Sequence, residues 1–89
     1  MKIEVLSSGS KGNTTYIETD KSKILIDAGN SAKYIVSKLE SIGVSADKLD
    51  AILLTHTHSD HINGLKVLQK KTSAIIYMTK PMHDNLDYI

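Results

Sequence analysis

Eighty-nine residues make one small domain, which buries a modest fraction of its surface and is only marginally stable by itself. Eleven basic residues face 10 acidic ones, and the net charge of +1 gives no electrostatic footprint for nucleic acid. The chain has no cysteine, which excludes a disulfide framework and a thiolate metal site and fits a reducing compartment.

Residues 2 to 6 alternate polar and apolar, Ile3 and Val5 against Lys2 and Glu4, and predict a half-buried strand. The same start lacks the long apolar core of a secretory signal, and no apolar run approaches membrane-spanning length, so a cytoplasmic protein with no membrane partner is expected. A Ser/Gly loop follows over 7–12, and residues 14–19 are rich in β-formers. After the polar turn Asp20-Lys21-Ser22, the run Ile24-Leu25-Ile26 reads as a strand covered on both faces.

Ser31 is placed to cap a helix in which Ile35, Val36, Leu39 and Ile42 share one face, with Gly43 as its C-terminal stop. A short connector, 47–50, leads into a second apolar strand, Ala51-Ile52-Leu53-Leu54. A second helix is predicted over about 61–71, with Ile62, Leu65 and Leu68 inward and Lys66, Lys70 and Lys71 outward. Ala74 to Met78 predicts another buried strand, and Thr79 caps a last helix with Pro81 in its first turn, running toward Ile89. The order is β-β-β-α-β-α-β-α, an α/β layer.

Chemistry concentrates in His56-Thr57-His58-Ser59-Asp60-His61, where three of the chain's four histidines and one carboxylate fall within six positions. Imidazole and carboxylate are the usual non-thiolate ligands of zinc and similar ions. An extended backbone throws His56 and His58 to the same side. Asp60 and His61 sit where the chain turns into a helix and approach from another direction. The spacing allows one metal on His56 and His58 and a second on Asp60 and His61. The motif follows a buried strand, where open α/β sheets place their ligand sites.

The stretch Ile52-Leu53-Leu54-Thr55-His56-Thr57-His58-Ser59-Asp60-His61, with Gly64 after it, resembles the metal-binding signature of the metallo-β-lactamase superfamily. Leu25-Ile26-Asp27-Ala28-Gly29 resembles the family's upstream strand ending in Asp. Ser7-Ser8-Gly9-Ser10-Lys11-Gly12-Asn13 is similar to the YycJ/WalJ-like branch. The resemblance implies half of a four-layer αββα sandwich, with residues 1–89 as the N-terminal half. It implies two divalent ions, zinc first with manganese or iron as alternatives, held by His56, His58, Asp60 and His61, and a metal-activated hydroxide that Asp60 also orients. The family's further ligands, two histidines and a bridging aspartate, belong to the second half, so the ligand set here is incomplete.

The function so implied is a metal-dependent hydrolase, of phosphodiester or nuclease type in this branch, with nucleic acid as substrate. The alternative is a truncated, catalytically incompetent half-domain. It would expose an apolar sheet face and pair with itself as a homodimer or with the missing C-terminal half. A di-iron oxidoreductase is a third reading, against which His58 stands, since such sites often carry a carboxylate there. The isolated chain is expected to be inactive.

Other residues keep two readings. Asp27 is either a carboxylate that orients a metal-bound histidine or a turn residue before Ala-Gly. Gly64, inside a predicted helix, marks either a close backbone approach or a tolerated defect. The Ser7–Asn13 loop either offers N–H groups to an anion or is a plain turn, and it lacks the Walker pattern. His83 reads as a surface helix residue, and Thr55 and Thr57 as loop backbone.

Overall fold

The computed structural model describes residues 1–10, 12–56 and 59–86, and not the side chains of Ser59 and Asp60. One five-stranded sheet runs in sequence order: β1 (Lys2–Ser7), β2 (Thr14–Glu18), β3 (Lys23–Ile26), β4 (Ala51–Leu53) and β5 (Ile75–Tyr77). The first two pairings are antiparallel and joined by short loops; β3, β4 and β5 are parallel and need helical crossovers. Those crossovers are α1 (Ala32–Ser41) and the pair α2 (Ser59–Ile62) and α3 (Leu65–Leu68), with α4 (Lys80–Asp84) closing the order.

The expected boundaries of α1 hold for the expected reasons. Ser31 accepts a hydrogen bond from the Tyr34 N–H at 3.1 Å. At the other end Gly43 takes φ +81°, and the N–H groups of Gly43 and Val44 donate to the carbonyls of Glu40 and Leu39. That pair of bonds satisfies the last turn's orphan carbonyls. Thr79 likewise caps α4, with Pro81 in its first turn. The connector before β4 forms one turn of 3-10 helix, Ala46–Lys48, with Leu49 buried behind it. α4 stops at Asp84, short of the expected run toward Ile89; residues 87–89 lie outside the described set.

The predicted second helix is two short ones. The Ala28 N–H donates to the His61 carbonyl, and the Gly64 N–H donates to the Ala28 carbonyl, each at 2.8 Å. Both groups are thereby taken out of a continuous i to i−4 ladder, and the helix breaks between Ile62 and Leu65. The inward set is as expected: Leu65 and Leu68 are fully buried, and Ile62 packs against the core.

Alternation sorts the sheet into two faces. The register row Glu4, Tyr16, Leu25, Ile52 and Ile76 faces the helices, where Tyr16, Leu25 and Ile52 join Ile35, Leu39, Leu65 and Leu68 in the core. The opposite face carries two rows. One is Ile3, Ile17, Ile24, Ala51 and Ile75; the other is Val5, Thr15, Ile26, Leu53 and Tyr77. It contains no charge, and its flanks are open: Ile3 is 60% exposed, Val5 65%, Ile75 61% and Tyr77 52%. Two expectations are corrected here. The apolar side of β1 is its exposed side, and β5 is not buried on both faces, because the helices cover only the opposite surface.

Candidate metal centre

The parallel register sets Ile26 beside Leu53, so the residues after β3 and β4 emerge together at one end of the sheet. Asp27 is the first residue past β3. Its N–H donates to the Leu53 carbonyl at 2.8 Å, and its backbone then adopts φ +63°. Aspartate is one of the few non-glycine residues that visit this region readily. Both oxygens of its buried carboxylate are engaged across the gap between strands. Oδ1 accepts from the Thr55 N–H at 2.8 Å, and Oδ2 accepts from the Thr55 hydroxyl at 2.6 Å. The Nδ1 of His61 lies 2.7 Å from the same Oδ2.

Thr55 reaches further. Its Oγ1 is 3.2 Å from Nδ1 of His56 and 3.3 Å from Nδ1 of His61, and the two imidazole rings lie 4.8 Å apart, centre to centre. The backbone locks this cluster from below. Gly64 packs so tightly on the segment before α1 that a Cβ there would overlap the Asn30 carbonyl oxygen and stand 2.9 Å from the Ala32 nitrogen. Of the two readings of Gly64, close approach is the one the structure supports. Asp27 serves both of its readings at once, as a turn residue and as a histidine partner. Thr55 is more than loop backbone, and its importance was legible in principle from its place one residue before His56 at the strand end.

The loop after β1 folds on itself. Gly9 and Asn13 exchange two hydrogen bonds, Gly12 donates to Gly9, and the Ser7 hydroxyl donates to the Gly12 carbonyl. Gly12, at φ +137°, abuts the Gly29 backbone. The N–H groups of Gly9 and Gly12 are thus used within the loop, as a plain turn requires; Lys11 lies outside the described residues. His83 stands exposed on α4, its Nδ1 3.9 Å from Asp84, as a surface residue.

Of the four expected ligands, the structure describes His56 and His61 and sets them side by side. His58, and the side chain of Asp60, lie outside the described residues. Among the described residues no group of three or more metal-ligating side chains is placed around one point. What is described suits a divalent cation. A ligating imidazole usually donates its other N–H to a carboxylate, backbone carbonyl or water, and the Nδ1 of His61 lies against the Asp27 carboxylate in that way.

The metallo-beta-lactamase superfamily model matches residues 8–86. The chain is 51% identical over 76 residues to "Exodeoxyribonuclease WalJ" of Streptococcus pneumoniae serotype 2 (strain D39 / NCTC 7466), covering 85% of this chain and 28% of that protein. It is 36% identical over 89 residues to "Exodeoxyribonuclease YycJ" of Bacillus anthracis, covering 100% of this chain and 34% of that protein. It is also 36% identical over 72 residues to "Anti-Pycsar protein Apyc1" of Saccharibacillus brassicae, covering 74% and 28%. The chain therefore spans about a third of the length of these curated relatives. Among solved structures, a B3 metallo-beta-lactamase with an active-site glutamic acid superposes with TM-score 0.77 at 25% identity, over 86% of this chain and 30% of that one. A Cronobacter sakazakii metallo-beta-lactamase mutant reaches TM-score 0.84 at 21% identity, over 93% and 33%, and shows the shared fold alone.

Proposed function

The chain belongs to the metallo-β-lactamase superfamily, and from that premise we propose that it is the N-terminal half of a metallo-β-lactamase-like domain in a metal-dependent hydrolase that cleaves phosphodiester bonds in DNA. The observation that carries this reading is the Asp27–Thr55–His61 hydrogen-bond cluster at the ends of β3 and β4, together with the exodeoxyribonuclease relatives. His56, His58, Asp60 and His61 are the residues that would hold two divalent ions, zinc first. When bound, such ions supply positive charge and an acidified water at neutral pH.

The chain's own residues do the positioning. Asp27 and Thr55 fix the ring of His61, Thr55 contacts the ring of His56, and the Asp60 carboxylate offers a second oxygen with which to orient a nucleophile. A DNA substrate and a chain without cysteine fit a cytoplasmic protein. Among the described residues no helix is long and apolar enough to cross a membrane. The test is to load the protein with Zn2+ or Mn2+ and assay bis(p-nitrophenyl) phosphate and labelled DNA. Cleavage is expected, with His58→Ala and Asp60→Ala abolishing it. Hydrolysis of a thioester or lactam with no phosphodiester cleavage rejects the reading.

A second reading, favoured by the uncharged open sheet face, concerns the 89-residue chain by itself. It associates through that face with a second copy of itself. Nothing on the two rows repels an identical surface. A compact monomer by light scattering at micromolar concentration refutes this.

A further inference from the structure

We propose that Thr14, with Gly12 beside it, is a positioning residue of the metal centre: it holds the Ala28–Gly29 backbone, and Ala28 in turn holds the backbone of His61. The segment Asp27-Ala28-Gly29 is buried, yet past Asp27 it offers only the methyl group of Ala28 for packing. Its place is set by backbone hydrogen bonds. Toward α2, the Ala28 N–H donates to the His61 carbonyl and the Ala28 carbonyl accepts from the Gly64 N–H, each at 2.8 Å. Toward β2, the Gly29 N–H donates to the Thr14 hydroxyl oxygen and to the Asn13 carbonyl, each at 3.1 Å.

Thr14 opens β2 and is 1% exposed. A hydroxyl buried so deeply costs stability unless it is hydrogen-bonded. Valine would fill the same place, so what the hydroxyl adds is the bond to Gly29. Gly12 brings its backbone against the same segment: a Cβ there would stand 2.8 Å from the Gly29 carbonyl carbon and 2.9 Å from the Asn30 nitrogen, an approach that needs glycine. The Asn30 Nδ2 adds a tie to the Ser7 hydroxyl at 3.3 Å. Residues 28–30 are thus held between the start of β2 and the junction of α2 and α3, where Gly64 closes on Asn30 and Ala32. The consequence reaches the site through the neighbours of the held groups. Asp27 precedes Ala28, and His61 is the residue whose carbonyl Ala28 engages; their side chains meet at 2.7 Å. A functional constellation has to be held to within about 0.5 Å, and a shift of Ala28 is passed to both ends of that contact. The effect on zinc rests on the metal reading; the effect on the backbone does not.

The test compares Thr14→Val, which keeps the shape and removes the acceptor, with Thr14→Ser, which keeps the hydroxyl; Thr14→Ala replaces the valine variant if that chain does not fold. Amide hydrogen exchange of the metal-free chain reads the Ala28 and Gly64 N–H groups against the Val44 N–H at the end of α1. In Thr14→Val, exchange at Ala28 and Gly64 should quicken about fivefold relative to Val44, the order expected for one lost hydrogen bond. Zinc affinity by calorimetry should fall about tenfold, the low end of the range for groups behind a ligating histidine. Thr14→Ser should keep both near native. A folded chain without the hydroxyl whose Ala28 and Gly64 exchange is native relative to Val44 overturns the proposal. So does one in which exchange quickens while zinc affinity stays native, since Thr14 would then serve the fold and not the site. If the native chain itself takes up no zinc, the metal reading fails, and the exchange comparison by itself decides whether Thr14 positions the His61 backbone.

Discussion

Oδ2 of Asp27 and Nδ1 of His61 meet at 2.7 Å across 34 positions of sequence, and the carboxylate is buried while the ring is partly open. The contact joins the end of β3 to the helix after β4. It needs the positive φ of Asp27 to bring the carboxylate round. Asparagine tolerates that backbone and keeps one oxygen, but its amide nitrogen cannot accept. Asp27→Asn should therefore fold and yet lower zinc affinity roughly 10–100-fold, the range typical of partners behind a ligating histidine. Titration calorimetry of both chains checks it; equal affinity would detach Asp27 from the site.

Gly64 and Gly43 separate two costs that glycine substitutions confuse. At Gly43 a Cβ meets nothing within 4 Å, and the cost of Gly43→Ala is the positive φ alone, about 1–2 kcal/mol. Gly64 has an ordinary φ of −94°, so alanine there suffers no backbone penalty, but its Cβ collides with the Asn30 and Ala32 backbone. Backbone cannot rotate aside as a side chain can. Gly64→Ala should destabilise by about 3 kcal/mol or more, beyond the usual range for overpacking. Urea unfolding of the two variants ranks them.

The sequence was most legible where structure is local. Ser31 and Gly43 bracket α1 through bonds that span three to five residues, and the apolar run before His56 announces a strand whatever lies beside it. Reading failed where the partner is remote. The break between α2 and α3 is made by Ala28, which no periodicity around residue 62 encodes. The exposure of Ile3 and Val5 depends on which sheet face the helices cover, and alternation marks two faces without saying which is roofed. Thr55 looked like loop because its role needs Asp27 from the neighbouring strand.

Tyr16 gives a pH test remote from the metal centre. Its side chain is fully buried and its hydroxyl donates to Oε1 of Glu18 at 2.7 Å. Burial first, and then the Glu18 carboxylate, push its pKa well above the usual tyrosine range. In the unfolded chain the phenol ionises near about 10. The unfolded state thus loses its proton first, and stability present below that pH falls as pH rises toward the folded value. At neutral pH Tyr16→Phe should cost about 1 kcal/mol, the net worth of the hydrogen bond. That gap should shrink steadily above about pH 10, because phenylalanine has no proton to lose. Chemical denaturation of both chains across that range measures it; a constant gap would mean the hydroxyl is not held neutral by the fold.

The open sheet face makes the most direct prediction about the chain as a particle. Val5 and Tyr77 occupy the same transverse row at opposite edges of the sheet, and both are more than half exposed, so neither contributes much to the core beneath. Replacing them should barely alter the stability of a single chain, by about 0.5 kcal/mol or less each. Their effect on association should be large, because a lysine at each edge puts like charges against like when two copies meet face to face. If the native chain is a dimer at micromolar concentration, as proposed, the Val5→Lys/Tyr77→Lys chain should be monomeric by light scattering there, with the same circular dichroism. If the double variant stays dimeric, the two copies meet elsewhere, and the two apolar rows are not the surface that brings them together.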